Sequence, residues 1–290
     1  MTRRWQLLCF TLALSLDVAH LSGQNLNGDS ELTLGITAYE KATYTDAIDH
    51  LERAVTLDPK SLVGHFYLAE AYQNTYSEEC DWDCETNEHR RVRAIEEYNK
   101  VLELDPSNTE ALKALGWRYY RDAKSKEAEN YYQKTLDVDP NDFEALYSLA
   151  VIHWQRSYTL RAEKRAKLRL GRKKPLINLS SCTEIRIENL ARIQEGMSLL
   201  TRATGIAQSY EVEEYMSLLY RERADIQCGD QSAYDQDVNA AVMWAHRACD
   251  TRHNPNRVTI GCISLRCPPP PPPPPAPGQS GACSDSGASR

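Results

Sequence analysis

The chain returns three times to the same short phrase at the end of an amphipathic run: Leu57-Asp58-Pro59, Leu104-Asp105-Pro106 and Val138-Asp139-Pro140. Proline lacks a backbone N–H and clashes with the preceding turn, so each phrase stops a helix. The last two prolines stand 34 residues apart, the period of a helix–turn–helix unit that stacks on copies of itself. A single unit is too small to bury its own apolar stripe and relies on its neighbours. Such a chain has little interior for a catalytic cleft and much helix surface for a partner. The sequence points to a binding scaffold without naming what is bound.

The residues between the stops repeat as well. Residues 109–142 carry Leu112, Leu115-Gly116 and Tyr119, then Ala128, Tyr132 and Pro140. Residues 28–61 carry Leu34-Gly35, Ala47, Leu51, Ala54 and Pro59. Residues 62–108 carry His65, Leu68-Ala69 and Tyr72, then Ala94, Tyr98, Val101 and Pro106, with an insertion between the two helices. Small residues at a helix crossing let backbones approach, and large ones fill the gaps between units. Two weaker units follow. In 143–208, helix A spans Phe143 to Gln155 and helix B is expected only at about 184 to 207. In 209–250, Tyr215, Leu218 and Leu219 precede Ala241, Trp244, Ala245 and Ala248. These motifs resemble the tetratricopeptide repeat (TPR) family. The long insertion, the Ile/Leu-rich helix and the run from Tyr215 to Asp225 resemble a group of exported bacterial TPR proteins of unassigned function. The resemblance implies an all-α, TPR-type α-solenoid of about five repeats over 28–250, with disordered ends.

Residues 1–23 read as a secretory signal peptide, with Arg3-Arg4 ahead of an apolar stretch from Trp5 to Leu16 that is too short to span a bilayer. Removal is expected before Gln24, which places the protein in the periplasm or outside the cell and leaves it without a membrane span. The segment 251–290 holds eight consecutive prolines from Pro268 to Pro275. It cannot build a core and is expected to be polyproline II or disordered. The net charge of −7 argues against a nucleic-acid partner.

No phosphate loop, nucleophile elbow or His-Glu-x-x-His motif is present, so neither an enzyme nor a cofactor is expected. One cluster stands apart: Cys80 and Cys84 with His89, spaced for a disulfide or for metal ligation, with two free or otherwise-paired thiols as the third reading. An exported chain permits disulfides. Cys182 and Cys228 are expected to pair, because loops joining the two helices of each repeat emerge on one edge of a TPR stack. A basic run from Arg161 to Lys174 reads as a solvated extension of the fourth repeat.

The resemblance also implies which residues meet a partner. Positions on the A helices that line the family's concave face correspond here to Tyr39, Phe66, Glu70, Trp117, Tyr120, Tyr147, Trp154 and Tyr220, with Val151, Tyr210, Glu213 and Ser217 alongside. The set is aromatic and acidic. The family's clamp for chaperone C-termini does not carry over, since Leu32, Ile36, Tyr67, Glu110 and Ala114 stand at its positions. Three readings follow: a non-enzymatic scaffold for an extended peptide or protein segment, a metal- or thiol-dependent protein using Cys80, Cys84 and His89, and an envelope adaptor acting through its Pro-rich tail. A Pro-rich ligand suits the first, with the chain's own tail the nearest candidate for Tyr210, Tyr220 and Trp154.

Overall fold

The structure, a computed structural model, describes residues 27–75, 84–169 and 179–253. Among them are ten helices and no strand: α1 (27–40), α2 (Tyr44–Leu57), α3 (Leu62–Thr75), α4 (Cys84–Leu104), α5 (Thr109–Arg121), α6 (Ser125–Val138), α7 (Phe143–Lys167), α8 (Leu179–Ile206), α9 (Tyr210–Ala224) and α10 (Gln231–His253). The signal-peptide assignment, Cys80 and the tail beyond residue 253 lie outside the described residues, whereas 251–253, assigned to the tail, continue α10.

The Asp-Pro phrases work as combined stops and starts. After α2, the Asp58 carboxylate accepts from Lys60 N–H at 3.1 Å, and its carbonyl accepts from Ser61 N–H at 3.1 Å. Ser61 then caps α3 by accepting from Gly64 N–H. The same sequence of bonds recurs at Asp105 with Asn108 as the cap, and at Asp139 with Asp142 as the cap. Each phrase satisfies backbone donors that a helix start would otherwise leave unpaired.

The chain divides into two compact units, one up to Arg118 and one from Tyr119. In the first, α2 packs on α3 and α3 on α4. Ala47, Leu51, Leu68, Ala69, Ala94, Tyr98 and Val101 are buried. Gly35 is required here: a Cβ on it would lie 2.5 Å from Leu51 Cγ.

In the second unit α6 packs on α7, α7 on α8 and α9, α8 on α9, and α9 on α10. One core runs through it, including Tyr132, Leu146, Leu149, Ile152, Ile193, Leu200, Met216 and Leu219. The helices α7, α8 and α10 have 25, 28 and 23 residues against 13 and 14 for α5 and α6. The first part of the basic run lies on α7 and is not simply solvated. Arg161 forks onto Glu222 with two 2.6 Å bonds and reaches Asp225 at 2.7 Å, and Arg165 is buried. Cys182 and Cys228 are joined by a disulfide with Cα atoms 5.5 Å apart. Beside it Arg186 donates to Ile226 O and Gln227 Oε1, both at 2.9 Å. Among the described residues no helix is long and apolar enough to cross a membrane.

Candidate functional site

The A-helix residues of the first unit gather around one carboxylate. Tyr39 closes α1, and Phe66, Tyr67 and Glu70 occupy successive turns of α3. Tyr39 donates its hydroxyl to Glu70 Oε2 at 3.1 Å, and Tyr98, from α4, donates to Glu70 Oε1 at 2.6 Å. Rings meet at steep angles: Tyr39 with Tyr67 at 77°, Phe66 with Tyr67 at 88°, and Phe66 with Tyr98 at 68°. Edge-to-face contact sets the positive edge of one ring on the negative face of the next. Burial first, and then the charge of Glu70, pushes the Tyr39 phenol up to about 12, so it stays a donor at neutral pH. Tyr98 is fully buried and forms the floor, whereas Tyr39, Phe66, Tyr67 and Glu70 are half-buried. Trp117, also half-buried, carries Arg118 against its ring at 5.7 Å.

A second array sits on α7 and α9. Tyr215 meets Tyr147 at 5.6 Å and Trp154 at 5.3 Å, both edge-to-face, and Trp154 stacks on Tyr158. Tyr120 is half-buried, its phenol pushed up to about 12 by burial and then by the neighbouring phenols of Tyr215 and Tyr132. Burial raises Tyr147 also, with Glu211 and Glu214 among the contributing charges. Trp154 is 5% exposed and its indole N–H has no acceptor among the described residues. It therefore backs the array, while Tyr147 and Tyr215 present it.

The opposite side of the second unit has an open cleft of about 440 Å³ lined by residues including Glu129, Gln133, His153, Arg156 and Glu195. His153 is 2% exposed, with Nε2 3.7 Å from Glu195, too long for a hydrogen bond. Burial holds its imidazole below the usual range and so neutral. Arg156 is spent on Glu129. Among the described residues no three His, Cys, Asp or Glu side chains converge as a metal site. His89 is exposed on α4, and the Cys84 side chain lies outside the described residues.

A family model described as tetratricopeptide repeat matches residues 113–164. Over that stretch the chain is similar to a tetratricopeptide repeat. Solved structures agree on the TPR solenoid fold. The crystal structure of MamA protein is 13% identical, with a TM-score of 0.51, covering 78% of this chain and 92% of that one. A MamA AMB-1 structure is 16% identical at 0.51, covering 80% and 94%. YrrB, titled a TPR protein with an unusual peptide-binding site, is 12% identical at 0.51, covering 81% and 91%. No curated protein matches the chain.

Within each compact unit the structure joins some expected residues and separates others. Tyr39, Phe66 and Glu70 converge, and Tyr147 and Trp154 converge. Tyr220 stands apart from the Tyr147 array and carries Arg223 over its ring at 4.8 Å. Tyr210 carries Arg252 of α10 at 4.3 Å. Glu213 and Ser217 do not line an open face: Glu213 is buried against Arg247, and Ser217 donates to Ala241 O at 2.8 Å, both toward α10. Val151 is buried. Tyr67, Tyr98 and Tyr215 complete the arrays and were not among the expected contacts. The aromatic Tyr67 beside Phe66, and Tyr215 on the face of α9 that meets α7, were the available signals.

Proposed function

We propose that this protein is an exported, non-enzymatic TPR scaffold that receives an extended peptide or protein segment on its A-helix faces. One observation carries the reading: aromatic side chains of the A helices are grouped into contiguous arrays with half-buried members, rather than dispersed through the core. Tyrosine offers a large rigid contact area at low entropy cost, and such residues anchor interfaces out of proportion to their number. Export is supported by the charged and apolar leader and by the Cys182–Cys228 bridge, a pairing suited to an oxidising compartment. Proline-rich segments suit aromatic faces because a polyproline II strand loses little entropy on docking. The chain's own proline run is the nearest such segment, and the run itself carries no charge for acidic groove residues to oppose.

The test is photocrosslinking in the native cell. A benzoyl-phenylalanine replaces Tyr147 in the full chain, and a control places it at Met243, an exposed residue of α10. Discrete adducts at Tyr147 and none at Met243 are expected, on a protein whose recovered chain begins at Gln24. Indistinguishable adduct patterns at the two positions would remove the groove reading, and a cytoplasmic chain that retains Met1 would remove export.

A further inference from the structure

The array of the first unit has a chemical polarity of its own. Glu70 is a carboxylate enclosed by rings, and among the described residues no Lys, Arg or His pairs with it. Its oxygens accept from Tyr39 and Tyr98. A carboxylate has about four acceptor sites, so two remain. One turn further along α3, Gln73 Oε1 is buried without a donor among the described residues. The steeply angled rings of Tyr39, Tyr67 and Phe66 give walls whose negative faces attract a cation. Neither hydroxyl can neutralise the charge, because a neutral donor shares a proton without supplying a positive one.

We propose that this cluster is a subsite for a basic side chain of the bound segment, arginine before lysine, with its guanidinium on Glu70 and its flat face against Tyr39 and Tyr67. Charge complementarity selects the occupant. A guanidinium brings five donors in a rigid fork and stacks on aromatic rings, so it can serve the free lone pairs of Glu70 while contacting the walls. An ammonium would meet the charge with fewer matched donors. The inference rests on the peptide-scaffold reading above.

A random 12-residue display library panned against the full chain separates the two. Selected peptides should share a basic residue at one position, arginine more often than lysine. Replacing that arginine by citrulline, which keeps the shape and loses the charge, should weaken binding about tenfold. In Glu70→Gln the arginine and citrulline peptides should bind alike, at the weaker level. Tyr67→Leu, which keeps the carboxylate and removes a wall, should weaken the arginine peptide more than the citrulline one. Both variants are checked by circular dichroism, and the second serves if the first does not fold. Peptides that bind without a basic residue, or a citrulline peptide as tight as its parent, would overturn the subsite and leave the scaffold intact. No enriched peptide at all would overturn both.

Discussion

Up to Arg118 the helices are held by small residues at crossings and by hydrogen bonds that end on carboxylates. Gly35 admits Leu51, Tyr72 donates to Glu52 at 2.5 Å, and His65 Nδ1 lies 2.6 Å from Glu97. There Arg53 also pairs with Glu31 at 3.0 Å, on a carboxylate that stays 20% exposed. From Tyr119 onward arginines reach carboxylates that are almost fully buried, and a disulfide is added. Arg161 bridges to Glu222 and Asp225, Arg223 to Asp237, Arg247 to Glu213, and a disulfide joins the start of α8 to the turn that follows α9. Among the described helices of the first unit, α2 and α3 have 14 residues each and α4 has 21. Repeats whose helices run past their neighbours need side chains that reach across the overhang. Those reaching charges are indispensable without being generous. Burial raises the Glu222 carboxyl above its usual range, against the opposing pull of Arg161. The pair therefore offsets its own desolvation more than it adds stability.

That contrast can be broken in three places. The largest effect is expected for Arg161→Ala, which strands a carboxylate that is 3% exposed. The cost should be about 3–5 kcal/mol in urea denaturation, and Arg161→Met with Glu222→Leu should recover most of it. A double variant no better than the single would mean that the loss is packing, not charge. Next comes the disulfide. Cys182→Ser with Cys228→Ser opens a loop whose ends are 46 residues apart, and should cost about 2–4 kcal/mol. Hydrogen exchange should rise across 179–228 and stay unchanged in α1 to α3. Recovery of both residues as free thiols in unreduced peptide maps would sink the pairing itself. The smallest change belongs to the first unit. Gly35→Ala should cost about 1–3 kcal/mol by overpacking against Leu51. The same substitution at Gly205, where a Cβ meets nothing within 4 Å, should be neutral or stabilise by up to about 1 kcal/mol. Equal effects at the two glycines, read by thermal melting, would show that close approach is not what holds the first unit.

The helix stops were legible because proline acts locally. Its missing N–H and fixed φ need no distant partner, and the caps at Ser61, Asn108 and Asp142 follow three residues after each aspartate. The paired cysteines were legible through the repeat's edge geometry, which the TPR resemblance supplied. The register of the later A helices was not. On α7 the run from Leu149 to Trp154 is buried at every residue, so no polar face remains to set a phase. On α9 the burial of Glu213 depends on Arg247, 34 residues on, and no periodicity within α9 announces it. Arg161 and Arg165 sat inside a run of basic residues whose composition suggested water, while their surroundings are set by α9 and the core. The Glu70 cluster was half legible. Tyr39, Phe66 and Glu70 lie at expected positions, but the hydroxyl of Tyr98 comes from the following helix.

The bridge between Cys182 and Cys228 also changes how this protein would bear a load. If the ends of the chain are pulled, tension entering from α7 reaches Cys182 and crosses the sulfur bond to Cys228 and α10. The segment between them, whose ends are 46 residues apart and which includes most of α8 and all of α9, is left out of the force path. At roughly 3.4 Å per extended residue that withholds about 150 Å of contour length. In an oxidising compartment that segment adds no length to the tether. Reduction alone would let it pay out.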